Sequence, residues 1–169
     1  MGELGERAER EVEARIRAAL PDGARCFANV RWLAPPEHGK PARNGEIDLL
    51  LVLPQVGLLV IETKGGLIAR SGTGLWYAGS RQLDSTPFEQ AETSGRVMAA
   101  KIKADPRWHG ALRVIHSAAF PHTDRASLGR AMDLAPDAPG ALVLDRADLA
   151  TDAATAAALA RVIHHWEGD

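Results

Sequence analysis

The chain has 169 residues, of which 46% are hydrophobic and 25% are charged, and its formal net charge at pH 7 is −2. These values are ordinary for a globular protein and predict one domain over 1–169, while the balanced charge excludes a global basic surface and leaves only a local patch for nucleic acid. The single cysteine, Cys26, excludes an internal disulfide, and no stretch approaches the about 20 apolar residues that span a bilayer, so we expect a cytoplasmic protein that does not bind membranes.

The apolar residues follow helical and strand periods that divide the chain into elements. Helical spacing predicts an amphipathic first helix over 3–20. Dense aliphatic runs predict strands over 24–33, 46–53 and 58–64, with a proline-rich loop over 35–41 before the second strand. The second and third strands are joined so closely that we expect them to form an antiparallel hairpin.

The second half of the chain contributes further helices and strands. A short segment at 67–70 is expected to extend the hairpin sheet. After it, the sequence predicts a helix over 87–104, a strand over 112–120, a short strand over 141–144 and a closing helix over 152–166. This order of elements predicts an α/β fold in which a mixed sheet carries helices on both faces.

Two acidic residues stand at the ends of buried strands. Asp48 precedes the aliphatic run 49–53, and Glu62 follows the run 56–61. Charges at the ends of buried strands are costly unless other groups pair with them. Lys64 lies two residues beyond Glu62, so both side chains share one face of the strand. The pattern predicts two carboxylates and an ammonium at one end of the sheet.

The hairpin register decides whether Asp48 reaches this group. If Leu53 faced Leu58 across a four-residue turn, Asp48 would lie opposite Thr63 and would point to the wrong face. A one-residue change of register or a bulge would place Asp48 with Glu62. A shared site therefore predicts such an irregularity in the hairpin.

These residue types are suited to a divalent cation. Mg²⁺ prefers oxygen ligands, and Asp48, Glu62 and the backbone carbonyl of Thr63 would supply them to Mg²⁺ or Mn²⁺. Lys64 would hold an attacking water or a scissile phosphate. The alternative is a strand-end salt bridge between Glu62 and Lys64, with Asp48 as a turn residue, because Glu-x-Lys by itself is common.

Several ordered segments match one family pattern. They are Glu9 within 8–12, the acidic motif 45–48, the Glu-x-Lys strand 60–64 followed by Gly65, then Trp76, and the helix start 87–91 that contains Gln90. Through them the stretch from Gly5 to about Ala104 resembles the NERD (nuclease-related) domain of the PD-(D/E)XK nuclease superfamily. Each anchor is weak alone, and their order makes the resemblance specific. One departure is Ala8, where the family pattern has a glycine.

The resemblance implies a restriction-endonuclease-like fold. Its mixed β-sheet core would have the order α-β-β-β-α-β, would span about 3–120 and would be flanked by helices. A C-terminal strand and helix at 140–167 would pack on this core. The sequence after Phe120 resembles the NERD segment found ahead of helicase domains.

The resemblance also implies a set of functional residues. Asp48, Glu62 and Lys64 correspond to the catalytic set, with Glu9 and Gln90 as supporting residues. From the residues alone, Glu9 and Gln90 are typical of an exposed helix surface. The family therefore adds these two positions to the site.

A group of basic residues spans the second half of the helix predicted over 87–104 and the loop after it. It consists of Arg96, Lys101, Lys103, Arg107 and Arg113, with Trp108 among them. Such a group can face the phosphates of a nucleic acid. The alternative is a solvated face with one packed tryptophan, which is the more common situation.

Our first hypothesis is a metal-dependent nuclease domain that hydrolyses phosphodiester bonds in DNA, in DNA processing, repair or defence. The second is a domain that binds nucleic acid, or docks on a helicase or another DNA-processing protein, without cleaving. A third is a purely structural domain of a larger assembly. The intact set of Asp48, Glu62 and Lys64 favours the first, and the slightly negative charge favours the second.

Overall fold

Three α-helices, two short 3-10 helices (Arg125–Leu128 and Gly140–Leu142) and eight strands lie in the part of the chain that the computed structural model describes, namely 3–36, 41–128 and 139–168. The α-helices are α1 (Glu3–Ala18), α2 (Pro87–Ala104) and α3 (Asp152–Glu167). The strands are β1 (Arg25–Ala34), β2 (Arg43–Leu53), β3 (Gly57–Thr63), β4 (Ile68–Arg70), β5 (Trp76–Ala78), β6 (Arg81–Gln82), β7 (Val114–Ala119) and β8 (Val143–Leu144). Part of the loop predicted over 35–41 lies outside the described residues. No helix in the described ranges is long and apolar enough to cross a membrane.

The main sheet has the strand order β1-β2-β3-β7-β8. The pairs β1–β2 and β2–β3 are antiparallel, whereas β3–β7 and β7–β8 are parallel. The strands β4, β5 and β6 form a separate sheet between β3 and α2. Without them, the succession α1, β1, β2, β3, α2, β7 gives the α-β-β-β-α-β order, with α2 in the connection between the parallel strands β3 and β7. The expected fold class, a mixed α/β fold like that of restriction endonucleases, is confirmed.

The prediction that the segment at 67–70 extends the hairpin sheet is wrong. β4 instead pairs with β5 in a separate three-stranded sheet of order β4-β5-β6. Both edges of β3 are already taken by β2 and β7, so the main sheet offers no edge beside it for the next segment. Gly66, with a φ of 79°, turns the chain away after β3.

Two apolar layers lie on opposite faces of the sheet, and the alternation along β3 separates them. Leu59 and Ile61 pack in the larger layer, which also contains Val12 of α1 and residues of α3. Leu58 and Val60 pack in the smaller layer beneath α2. α1 and α2 therefore cover opposite faces of the sheet, as the alternation of a buried strand requires.

The hairpin between β2 and β3 has a shorter loop than four residues. Leu53 pairs with Gly57, and the amide of Val56 donates to the carbonyl of Leu53 at 3.2 Å. Gln55 takes a positive φ of 64°, as the third residue of a tight turn with Pro54 before it. Leu49 consequently faces Ile61. The predicted irregularity is therefore present as a one-residue change of register, and the paired ladder ends at Leu49 and Ile61, one residue short of Asp48 and Glu62.

The close approach of α2 to the sheet generates a stability prediction. A Cβ added at Gly95 would lie 2.9 Å from Cγ1 of Val114, whereas a Cβ added at Gly5, on α1, meets nothing within 4 Å. We expect Gly95→Val to lower the free energy of unfolding by about 1–3 kcal/mol more than Gly5→Val does. Urea unfolding of both variants checks this, and equal losses would contradict tight packing of α2 on the sheet.

Candidate active site

The ends of β2 and β3 bring two carboxylates and an ammonium together. Asp48 and Glu62 are only 8% and 6% exposed. The backbone amide of Thr63 donates to Oδ2 of Asp48 at 2.7 Å. The ammonium of Lys64 donates to Oε1 of Glu62 at 2.5 Å. The salt bridge between Glu62 and Lys64 that the alternative predicted is therefore present. The other half of that alternative, Asp48 as a turn residue, is wrong, because Asp48 is a buried residue of β2 that accepts from the amide at the end of β3.

The first turns of α2 supply Gln90 to the same group. Oε1 of Gln90 accepts a hydrogen bond from the ammonium of Lys64 at 2.8 Å. The amide nitrogen of Gln90 donates to the carbonyl of Ser85 at 3.0 Å, which orients the side chain. Its oxygen therefore faces Lys64, and the ammonium of Lys64 is held from two sides.

A capping box fixes the helix start from which Gln90 projects. The hydroxyl of Thr86 accepts from the amide of Glu89 at 3.0 Å, and the carboxylate of Glu89 accepts from the amide of Thr86 at 2.8 Å. Pro87 occupies the first turn. Phe88 then packs edge-on against Trp76, with ring centroids 5.8 Å apart. These contacts anchor the N-terminus of α2 beside β3.

α1 brings Glu9 to the other side of Asp48. A Cβ added at Gly65 would lie 2.9 Å from Cβ of Ala8, so two small residues allow α1 to lie close to the end of β3. Glu9 and Asp48 line one open cleft of about 320 Å³. Burial, and next the charge of Asp48, raise the pKa of Glu9. The structure thus brings all five residues of the predicted catalytic set to one end of the sheet.

The carboxylates carry more negative charge than Lys64 compensates. Burial, and next the charge of Asp48, raise the pKa of Glu62 to about 7. Burial also raises the pKa of Asp48, against the hydrogen bond from Thr63. Two buried carboxylates of like charge resist simultaneous ionisation. A cation bound between them would relieve this repulsion.

One comparison with known proteins identifies the family. The family model described as NERD, nuclease-related domain, matches residues 4–121. The chain belongs to the NERD family. The match spans α1 to the end of β7. It includes every residue of the carboxylate site, which consists of Glu9, Asp48, Glu62, Lys64 and Gln90. No curated protein and no solved structure matches the chain.

The donor set of this NERD domain fits a magnesium-like ion better than a softer metal. Within the ranges that the structure describes, no three or more His, Cys, Asp or Glu side chains are grouped to hold a metal ion. Mg²⁺ does not require such a group, because it commonly takes one or two carboxylates and keeps several waters. Asp48 and Glu62 provide two buried carboxylates, and the Thr63 carbonyl stays a predicted third ligand.

A second, wider cleft opens on the α2 side of the carboxylate site. It has a volume of about 700 Å³, and both Glu62 and Gln90 line it. Its acidic lining residues are Glu46, Glu62, Asp84, Glu89 and Glu92. Arg96 also lines this cleft, but its guanidinium is paired with Glu92. The approach to the site is therefore acidic on the α2 side.

The sequence reasoning missed two residues of the site. Glu46 lines both clefts and accepts a hydrogen bond from Nε of Arg31 at 3.3 Å. In the sequence, its position two residues before Asp48 was the feature that could have indicated a place at the site. Asn29, which lies in the narrower cleft, has a positive φ of 52°. Its signal was a lone polar residue between Ala28 and Val30.

The predicted nucleic-acid-binding residues lie away from the carboxylates. Lys101 and Lys103 are in the last turn of α2, about 16 Å and about 20 Å respectively along the helix from Gln90 at 1.5 Å per residue. Arg107 pairs with Asp105 at 2.7 Å. The carbonyl of Arg113 accepts from the amide of Leu58, at the opposite end of β3 from Glu62. Their role in binding stays a prediction.

The raised pKa of Glu62 gives a prediction for stability. Between pH 4.5 and about 7 the unfolded chain has lost this proton while the folded protein retains it, so ionisation destabilises the fold as pH rises. We expect wild type in EDTA to lose on the order of 1–3 kcal/mol relative to Glu62→Gln between pH 4 and pH 8. Urea unfolding at both pH values measures this difference. A difference that is independent of pH would contradict the burial argument.

Proposed function

We propose that this NERD domain is a metal-dependent nuclease that hydrolyses phosphodiester bonds in DNA. The observation that supports the proposal best is that the ends of two neighbouring strands bring Asp48, Glu62 and Lys64 together, with both carboxylates buried. Hydrolysis of a phosphodiester adds the oxygen of water to phosphorus and expels a sugar oxygen. That reaction needs neutralisation of charge on the phosphate and a positioned water.

Asp48 and Glu62 are the residues that would hold Mg²⁺ or Mn²⁺, with the Thr63 carbonyl beside them. When bound, such an ion supplies positive charge at the phosphate and lowers the pKa of a coordinated water. The hydrogen bond from the Thr63 amide occupies Oδ2 of Asp48, which fixes the direction of the other carboxylate oxygen. The protein thereby restricts where a ligand of Asp48 can lie.

Lys64 would provide the charge that contacts the attacking water or the scissile phosphate. Glu62 and Gln90 hold its ammonium, and its side chain remains 22% exposed. An ammonium has three donors, so one remains for the water or the phosphate. Gln90 would act by positioning Lys64, and Glu9 would shape the wall beside Asp48.

The acidic lining favours a metal-dependent reaction over simple binding. Glu46 and Glu92 stand in the cleft through which a phosphate would reach Glu62. Phosphate contacts in proteins that only bind nucleic acid come mainly from Lys and Arg. A cation held by the carboxylates would reverse the local charge. The lining is therefore understandable if a cation accompanies the substrate.

The alternative function, nucleic-acid binding or helicase docking without cleavage, has support from the other end of α2. Lys101 and Arg107 line a surface cleft with Trp108, which is 38% exposed. Exposed basic and aromatic side chains together suit single-stranded nucleic acid. In our proposal the same surface would hold DNA while Asp48 and Glu62 act on it, and a partner in DNA processing, repair or defence would deliver the substrate.

Substitution of the carboxylate site tests the enzymatic proposal. We expect Asp48→Asn, which keeps an oxygen acceptor for the Thr63 amide, and Lys64→Ala to lower DNA cleavage in Mn²⁺ by about 100-fold or more. EDTA should stop cleavage by the wild type. Cleavage of labelled single- and double-stranded DNA provides the measurement, and circular dichroism confirms that both variants fold.

Lys101→Ala serves as the matched control, because it removes an ammonium at the far end of α2. It should leave the rate at saturating DNA unchanged. Wild-type rates for Asp48→Asn or Lys64→Ala would show that the assignment of the site is wrong.

A gel-shift assay separates cleavage from binding. We expect the double variant Lys101→Glu, Lys103→Glu to bind DNA at least about 10-fold more weakly, because two phosphate-neutralising charges are replaced by repelling ones. The site variant Asp48→Asn should bind DNA in Ca²⁺ about as well as wild type. Binding by the wild type without any cleavage in Mn²⁺ would favour the alternative function.

A further inference from the structure

The ribbon formed by β1 and β2 turns over at the level of Asp48. In a regular strand, residues two apart face the same side. Ala28 packs on the larger apolar layer beneath α1, yet Val30 packs on the layer beneath α2. On the neighbouring strand, Leu49 and Ile47 show the same change of side. Both strands therefore reverse their facing at one level.

Asn29 occupies that level on β1, directly across from Asp48. Ala28 pairs with Leu49 and Val30 with Ile47, so the two residues between them oppose each other. The register is the same on both sides, and no extra residue is inserted as in a β-bulge. The irregularity is the backbone of Asn29, whose φ is 52° in the left-handed region.

The reversal explains how Asp48 can lie between residues from both faces of the sheet. The paired ladder between β2 and β3 ends at Leu49 and Ile61. Beyond it, the Thr63 amide donates to the carboxylate of Asp48 at 2.7 Å, where a strand carbonyl would otherwise accept. Asp48 thus extends along the sheet, between Glu9 on the α1 side and Glu62 on the α2 side.

We propose that Asn29 is a positioning residue whose left-handed backbone turns the β1–β2 ribbon over and thereby aims Asp48 at the end of β3. The inference deepens the proposed function, on which the importance of that aim rests. Asparagine adopts the left-handed region more readily than any β-branched residue, and glycine adopts it freely. Since Asn29 is exposed, its backbone conformation rather than its burial accounts for the residue.

Hydrogen exchange of the Thr63 amide measures whether the carboxylate of Asp48 points to the end of β3, and this measurement requires no metal. We would measure amide hydrogen exchange by NMR in EDTA for wild type, Asn29→Gly, Asn29→Ala and Asn29→Val. Thr63 should stay protected in wild type and in the glycine variant, and should exchange at least about 10-fold faster in the valine variant. The alanine variant should fall between them. Asp48→Ala gives the exchange rate expected when the carboxylate is absent.

Two controls distinguish a change in the direction of the Asp48 side chain from a general destabilisation of the fold. The Leu58 amide, which donates to the Arg113 carbonyl at 3.0 Å at the other end of β3, should keep its protection in every variant. Leu33→Val places the same β-branched residue at another exposed position of β1 and should leave the Thr63 amide protected. If Asn29→Val does not fold, Asn29→Ala against Asn29→Gly decides the comparison.

Calorimetric titration with Mn²⁺ adds a second measurement. Asn29→Gly should bind Mn²⁺ like wild type, and Asn29→Val should bind it at least about 10-fold more weakly. Wild-type protection of Thr63 in Asn29→Val, or loss of protection in Asn29→Gly, would overturn the inference. If wild type binds no Mn²⁺, the proposed function fails, and the exchange of Thr63 alone still decides whether Asn29 aims Asp48.

Discussion

Mutual repulsion between Asp48 and Glu62 is the constraint around which this end of the fold is arranged. Burial removes most of the water that would solvate the two carboxylates, and each raises the cost of ionising the other. The Thr63 amide and the Lys64 ammonium supply partial compensation. A protein selected only for stability would be better served by apolar residues here. In the proposed nuclease, a bound cation would account for this charge.

The fold gathers the site from both faces of one sheet. α1 covers one face and brings Glu9, and α2 covers the other and brings Gln90. Side chains on opposite faces of a regular sheet cannot meet, so a shared site has to lie at the sheet end. Asp48 fulfils this condition, because the ribbon that carries it reverses its facing there. The clefts on the two sides accordingly share the wall residue Glu46.

Most of the fold could be predicted from local sequence patterns. The predictions that failed depend on contacts between residues that are distant in the sequence. The helix beginning at Pro87 was predictable because its capping signals are contiguous. The destination of β4 was not, because it depends on which edges of β3 other strands have already taken. The hairpin register depended on the conformation of Gln55, and periodicity does not encode backbone dihedrals. Asn29 was missed for the same reason.

The site shows a similar division. Asp48, Glu62 and Lys64 could be located because charge at the end of an aliphatic run is conspicuous, whereas Glu9 and Gln90 needed the family pattern. What charge alone would not reveal is that the basic residues lie at the far end of α2. In the proposed nuclease, the two ends would have different roles. The basic end would supply affinity for DNA that does not depend on the metal, whereas the acidic end would bind phosphate only together with a cation. Binding of the cation and of phosphate at the carboxylates would then be coupled, and by linkage each would strengthen the other.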